Sequence, residues 1–158
     1  MYSIDTNIYL DWWVRRYPED VFPIVRAGVE GLVANGRWNA VQRVADEIVQ
    51  VGTPQLQSWA KANKGHFHKH DARLVAEASS ISRRFPGMID LYAHHDEADR
   101  YVIALAKLKN WIVVTHETPA RTKKNPPRTH YIPDVCSALN IRCIDLLELM
   151  RREKWVFK

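Results

Sequence analysis

Apolar residues follow two alternating patterns along this chain. Short, mostly apolar segments predict strands at residues 2–4, 38–41, 88–92, 111–114 and 142–144, of which 111–114 is an uninterrupted apolar run. Between these segments apolar residues recur every three or four positions, which predicts helices at residues 8–16, 21–34, 44–51, 55–62, 72–84, 95–106, 132–139 and 145–152. Because strands and helices alternate, the pattern predicts an α/β fold. We expect a three-layer α/β/α sandwich with a mostly parallel central sheet of four or five strands.

The overall composition indicates one globular domain. A length of 158 residues fits a single domain over 1–158. No apolar run approaches the roughly 18 residues of a membrane helix, and residues 1–5 show neither a basic region nor an apolar signal core, so we expect no export signal. We therefore expect a cytoplasmic protein without membrane association, in which Cys136 and Cys143 are reduced thiols. The net charge of +5 modestly favours a polyanionic partner such as nucleic acid.

Acidic residues stand where predicted strands end and predicted helices begin. Asp5 follows the first strand, and Glu117 follows the strand at 111–114. Because the carboxyl ends of parallel strands meet at one edge of a sheet, we expect these two acids to be neighbours. Asp96 and Asp99 share one face near the positive end of their helix. The sequence therefore predicts a cluster of carboxylates at this edge.

A further acid, Glu47, lies between Val44 and Ile48 on the inward side of its helix, with Asp46 as the alternative. Clustered carboxylates repel one another and raise their own pKa values unless a cation binds. Hard oxygen ligands suit Mg²⁺ or Mn²⁺. Such an ion can activate a water molecule to attack a phosphodiester, so the cluster indicates a metal-dependent hydrolase.

Four short segments resemble, in order, the motifs of the PIN domain: IDTN at 4–7, ADEI at 45–48, EADRYVIA at 97–104 and VVTHE at 113–117. The resemblance implies a PIN-like fold and an endoribonuclease that hydrolyses single-stranded RNA with Mg²⁺ or Mn²⁺, leaving 5′-phosphate and 3′-hydroxyl ends. The family includes the ribonuclease toxins of bacterial toxin–antitoxin pairs, which implies a toxin role and an antitoxin partner. Family members commonly pair, which implies a homodimer.

The catalytic and metal-binding acids that the resemblance implies are Asp5, Glu47, Asp99 and Glu117. The family's fourth motif usually reads Thr-x-Asp, whereas this chain has Thr-His-Glu, so Glu117 is one methylene longer. Asn7 and Thr115 match the family's polar supports, which orient the acids. Asp96 is either an additional ligand or the helix cap.

Two other functions stay open at this point. Because Glu117 departs from the family's motif, the chain is alternatively a degenerate PIN-like module that only binds nucleic acid or a protein. A metal nuclease that acts on DNA would also use this set of acids.

A long irregular segment at 116–133 carries basic residues beside the predicted site. Loops of this length in compact domains are usually functional or mobile. The residues that we expect to bind the RNA phosphates are Arg121, Lys123, Lys124 and Arg128.

Histidines and tryptophans give two further hypotheses. His66, His68 and His70 alternate, which indicates either a loop that contacts RNA or, less favoured, a zinc or nickel site. Trp12 and Trp13 cannot both be buried by one helix face, so one of them contacts a partner or a different element of the core.

Overall fold

Strands and helices alternate as the apolar pattern predicts. The computed structural model describes residues 1–88 and 97–156. Its strands are β1 (Tyr2–Ile4), β2 (Trp38–Val41), β3 (Phe67–His68), β4 (Ile112–Val114) and β5 (Cys143–Ile144). Its α-helices are α1 (Thr6–Leu10), α2 (Pro23–Ala34), α3 (Gln42–Val51), α4 (Pro54–Ala62), α5 (Ala72–Arg84), α6 (Asp99–Lys109), α7 (Ile132–Ala138) and α8 (Leu146–Arg152).

The five strands form one sheet in the order β3-β2-β1-β4-β5, and every neighbouring pair is parallel. In the central pairs Tyr2 is in register with Trp38 and with Ile112. All residues of β1 and β2 are buried, because both faces of the sheet are covered by helices. The predicted α/β fold with a parallel central sheet is confirmed.

The strand order reverses at β1, which has β2 on one side and β4 on the other. Right-handed crossovers therefore place α1 to α4 on one face of the sheet and α5 to α7 on the other. The two sets of connections diverge at the carboxyl ends of β1 and β4, which leaves a crevice there. In open α/β sheets, ligands bind in such a crevice, so we expect the functional site at the carboxyl ends of β1 and β4.

The third strand differs from the prediction. Met88 belongs to a 3₁₀ turn, Pro86–Met88, and residues 89–92 of the predicted strand lie outside the described residues. On the side away from β1, β2 pairs instead with β3, which lies in the segment of alternating histidines that we expected to be a loop. A strand of two residues is too short to produce a periodic signal in the sequence.

The first predicted helix, 8–16, changes its winding part-way. It is α-helical to Leu10 and continues as a π-helical turn, Asp11–Arg15. Trp12 is 1% exposed, and Trp13 packs edge-on against it at 5.0 Å between ring centroids. The Arg26 guanidinium lies 4.0 Å from the centroid of the Trp13 ring. Both indoles are therefore packed within the chain. Of the two alternatives that we expected, a contact with a partner or packing against different elements of the core, the structure shows the second.

The alternating histidines are packing residues. His66 is 5% exposed, and its Nε2 lies 2.9 Å from the Tyr9 hydroxyl. His68 is hydrogen-bonded to the side chain of Asn39 on β2. His70 is stacked on an aromatic ring of α6. The interpretation of this segment as a loop that contacts RNA is wrong for His66, because its ring lies inside the core.

Two expectations about the chain as a whole can be compared with the structure. Across residues 1–88 and 97–156, no helix has the length and apolar character needed to cross a bilayer. Cys136 is buried in α7, Cys143 is partly buried in β5, and both are free thiols, as predicted.

Candidate active site

Asp5 is the first residue after β1 and stands at the reversal of the strand order. Its backbone is extended, with φ −81° and ψ 155°, and its Oδ1 accepts a hydrogen bond of 2.7 Å from the Thr6 N–H, so it caps α1. Its own N–H donates to the Val114 carbonyl at 3.0 Å. Asp5 is 4% exposed. It is therefore both a helix cap and a buried carboxylate fixed between β1 and β4.

Asn7 and Thr115 hold the other oxygen of Asp5. The Asn7 amide and the Thr115 hydroxyl donate to Oδ2 at 2.5 and 2.7 Å. The Asn7 amide also donates to the Thr115 hydroxyl oxygen at 3.1 Å. The Asn7 carbonyl oxygen accepts from the His116 N–H at 3.0 Å. The two residues that we expected to be polar supports thus join the start of α1 to the end of β4 around Asp5.

Glu117 is linked to this network through its backbone. Its N–H donates to the Thr115 hydroxyl oxygen at 3.0 Å, and its Oε2 accepts from the N–H of Ile132 at 2.9 Å. Ile132 is the first residue of α7, so the carboxylate meets the positive end of that helix. The longer glutamate is therefore held between β4 and α7.

Glu47 lies in α3 and connects two other helices. Its Oε2 accepts a hydrogen bond from the Thr6 hydroxyl, and its Oε1 accepts one of 2.9 Å from the Ala98 N–H. The alternative acid, Asp46, has a side chain that is 45% exposed, and it pairs with Arg43 on the same helix. Of these two acids, the structure turns Glu47 toward Asp5.

Asp99 is the first residue of α6 and forms an ion pair within the site. Its Oδ2 accepts a hydrogen bond of 3.0 Å from Arg128. The second guanidinium nitrogen of Arg128 lies 2.5 Å from Glu97 Oε1. The Arg128 side chain is 13% exposed and that of Asp99 is 17% exposed, so the pair is largely shielded from water.

The charges of these acids act on one another. Burial, and then the charges of Glu117 and Glu47, raise the pKa of Asp5 to about 7. Burial, and then the charges of Asp5 and Glu117, raise the pKa of Asp99 well above its usual range, while Arg128 opposes the rise. Burial likewise raises the pKa of Glu117. Acids from α3, α6 and the ends of β1 and β4 therefore share one electrostatic environment.

The donors of the cluster fit a hard divalent ion in type and in charge, because they are carboxylate oxygens that repel one another without a cation. Asp99 Oδ1 and Glu117 Oε1 accept no hydrogen bond from any described residue. In the described ranges, however, no three His, Cys, Asp or Glu side chains are already grouped as a metal site. The candidate ligand Asp96 lies outside the described residues.

The predicted phosphate-binding residues divide into two groups. Arg121 and Lys124 are exposed. Lys123 is partly buried, with its Nζ 4.3 Å from the centroid of the Tyr131 ring. The guanidinium of Arg128 instead faces the acids. Phosphate binding by Arg121, Lys123 and Lys124 stays a prediction. The charge pattern of the loop did not indicate that Arg128 would contact the acids of the site.

Two residues of the site were not singled out from the sequence. Glu97 is the second partner of Arg128, and the only sequence signal was its place in the EADR segment. Asp134 accepts hydrogen bonds of 2.9 Å from the N–H groups of Ala120 and Tyr131. The sequence signal for Asp134 was an acid in the first turn of α7. Its two hydrogen bonds hold together the ends of the loop at 119–131, which lies within the segment 116–133, carries the four basic residues and is called the basic loop below.

A buried carboxylate, Asp11, lies beside the network. Asp11, the first residue of the π-helical turn, is 5% exposed and lies 3.2 Å from His116 Nε2 and 3.3 Å from Arg16 Nε. Burial lowers the pKa of His116, although the charge of Asp11 opposes this. This approach places His116, the residue between Thr115 and Glu117, beside the π-helical turn.

Comparison with known proteins gives a family and a fold. The model of a family described as "Domain of unknown function (DUF4411)" matches residues 2–157. The crystal structure of FitAcB from Neisseria gonorrhoeae is similar, with a TM-score of 0.52 and 16% identity over 91% of this chain and 96% of that chain. This likeness shows a PIN-like fold. No curated protein matches the chain.

Proposed function

This chain belongs to the DUF4411 family, a domain of unknown function, and we propose that it is a metal-dependent endoribonuclease. It hydrolyses phosphodiester bonds of single-stranded RNA with Mg²⁺ or Mn²⁺. The observation that carries the proposal is the buried Asp5 at the strand reversal, whose pKa is raised to about 7 by burial and by other acids. A buried carboxylate in this state gains most from a bound cation.

Each residue has a defined task in this proposal. Asp5, Glu47, Asp99 and Glu117 hold the ion, with Asp96 as a further candidate. Asn7 and Thr115 fix the orientation of Asp5 through the hydrogen bonds described above. When bound, the ion supplies an activated water and charge stabilisation for the departing oxygen.

Charge supports a nucleic-acid substrate. The net charge is +5, and several acids lie together in the site, so the rest of the surface is more basic than the total implies. Arg121, Lys123 and Lys124 follow the site on one loop and would bind phosphates, which position a nucleic acid without reading its sequence. The resemblance of the four motifs to the PIN domain favours RNA over DNA as the substrate.

A toxin role, an antitoxin protein as partner, a homodimer and a cytoplasmic location are further parts of the proposal. They are supported by the resemblance to a family that includes the toxins of toxin–antitoxin pairs. A toxin role predicts that expression arrests growth and that an acid-to-amide substitution in the site relieves the arrest.

The test is Asp99→Asn, compared with Asp46→Asn on the exposed side of α3. We expect Asp99→Asn to reduce Mn²⁺-dependent cleavage of single-stranded RNA by at least about a hundredfold, because a charged oxygen ligand is lost. The fold should persist, since the side chain keeps its shape, and circular dichroism checks this. Asp46→Asn should cleave at the parent rate.

Three results would count against the proposal. Cleavage by Asp99→Asn at the parent rate would remove Asp99 from the site. An inactive parent that still binds RNA or a protein would favour the degenerate binding module. Faster cleavage of DNA than of RNA in direct competition would favour a DNA nuclease.

A further inference from the structure

The basic loop is fastened to the rest of the chain at both of its ends. At its start and end, the N–H groups of Ala120 and Tyr131 donate to Asp134, as described above. Next to Arg128, the N–H groups of Thr129 and His130 donate to the Gly87 carbonyl at 3.2 and 3.3 Å. The guanidinium of Arg128 therefore reaches the acids from a backbone that is held on two sides.

Gly87 allows this close approach. A Cβ at Gly87 would lie 1.8 Å from the Thr129 hydroxyl oxygen, 3.0 Å from His130 Nδ1 and 3.2 Å from the Thr129 Cβ. The hydroxyl would have to turn away from its 3.0 Å contact with the His130 ring, and the loop would have to move outward. The absence of a side chain at Gly87 is thus a condition for the observed position of Arg128.

Arg128 supplies a cation where the acids need one. It bridges Asp99 and Glu97 at 3.0 and 2.5 Å, and its positive charge also acts on Glu117. A guanidinium and a hydrated divalent ion both satisfy clustered carboxylates. The guanidinium on Asp99 Oδ2 leaves only Oδ1 of this residue to an ion, and its positive charge repels that ion.

We propose that Arg128 is an internal counter-cation that competes with the divalent ion for Asp99, so that the loop at 119–131 restrains the site until metal and substrate displace the guanidinium. The inference rests on the proposed metal-dependent function. It adds a regulation of that site: the arginine lowers the affinity for metal, and an RNA phosphate offers the guanidinium a new anionic partner when it leaves Asp99.

The direction of the effect follows from charge. Removing the guanidinium also lets Asp99 hold a proton more tightly, which opposes metal binding. A divalent ion carries twice the charge of a proton, however, so the same positive neighbour repels it about twice as strongly. The net result of removing Arg128 is tighter metal binding.

The experiment is titration of Mn²⁺ into the purified full chain by calorimetry, with no RNA present. We expect Arg128→Gln to bind Mn²⁺ at least about tenfold more tightly than the parent, which corresponds to roughly 1.4 kcal/mol. Arg73→Gln, which removes the same charge from an exposed site in the first turn of α5, is the matched control and should bind like the parent.

A second variant removes the geometry and leaves the arginine in place. Gly87→Ala pushes the loop outward, so it should also tighten Mn²⁺ binding, by less than Arg128→Gln. Thermal unfolding with and without Mn²⁺ gives a second measurement, because the stabilisation by a ligand grows with its affinity. The rise in Tm on adding Mn²⁺ should be larger for both variants than for the parent.

The outcomes separate this inference from the proposed function. If the parent and both variants bind no Mn²⁺, the proposed function fails. If all three bind Mn²⁺ with equal affinity, the metal site stands and the competition by Arg128 is refuted. Weaker binding by Arg128→Gln would also refute it and would show that Arg128 organises the acids for the metal.

Discussion

The raised pKa of Asp5 leads to a prediction about stability in the absence of metal. The pKa is about 7 in the folded protein and 3.8 in the unfolded chain. Between these values the folded state holds a proton that the unfolded state has released, so the free energy of unfolding falls as the pH rises. Through this group alone, the metal-free protein should lose roughly 3 kcal/mol of stability between about pH 5 and about pH 8.

The substitution Asp5→Asn isolates this contribution. At low pH Asp5 is protonated and uncharged, as an asparagine side chain is, although the amide carries two N–H donors where the carboxyl carries one O–H. The variant should therefore come closest to the parent below about pH 4, where the unfolded parent also keeps this proton, and differ from it there by about 1 kcal/mol or less. Between about pH 5 and about pH 8 the stability of the variant relative to the parent should rise by roughly 3 kcal/mol, because the variant buries no charge.

The difference between the two proteins is the quantity to measure, because His66 acts in the opposite direction. Burial lowers the pKa of His66 to about 4, so the unfolded chain binds the extra proton and stability rises with pH up to the ordinary histidine value. That contribution is present in both proteins and cancels in the comparison. Urea denaturation after removal of divalent ions by a chelator, at several pH values, gives the two curves.

Two results would refute the reasoning. A difference that stays constant from about pH 5 to about pH 8 would mean that Asp5 ionises at its ordinary pKa despite its burial. A variant that is less stable at high pH would mean that the hydrogen bonds of Asn7 and Thr115 outweigh the burial of the charge. Adding Mg²⁺ or Mn²⁺ should stabilise the parent at high pH and leave the variant nearly unchanged.

Two further predictions concern the core. Tyr9→Phe should lower the free energy of unfolding by about 2 kcal/mol in urea denaturation, because the Trp38 indole N–H, which donates to the Tyr9 hydroxyl at 3.0 Å, is left buried without an acceptor. Gly28→Ala should destabilise the fold, by about 1–3 kcal/mol, because its Cβ would lie 2.4 Å from the Trp155 ring. Gly31→Ala in the same helix has open space and should be neutral or stabilising; equal effects at the two glycines would contradict the packing.

Much of the architecture was determined by local chemistry in the sequence. The mostly apolar segments at 2–4 and 38–41 coincide with β1 and β2, which are buried throughout, and the periodic segment at 72–84 coincides with α5, which buries Leu74, Ala78 and Ile81 at helical spacing. Alternation of such elements leaves few alternatives to a parallel sheet. The placement of Asp5 at the end of the first strand followed from the same pattern.

The surroundings of the acids were decided only by tertiary structure. Asp5 and Asp99 are separated by more than ninety positions, and the sequence shows their types but not the burial that raises both pKa values. The short β3 arises because Phe67 pairs with Ala40, a contact between distant segments that leaves no local period.

Arg128 is the clearest case of a residue whose contacts could not be predicted from the sequence. In the sequence it is one of several basic residues in a loop, and local charge predicts contact with solvent or with phosphate. Its direction is set by the approach of the loop to Gly87 and by the charges of Asp99 and Glu97, which come from other parts of the chain. The sequence determined which charges this protein carries, whereas the packing of distant segments decided which of them face one another, because electrostatic partners are chosen by distance in space.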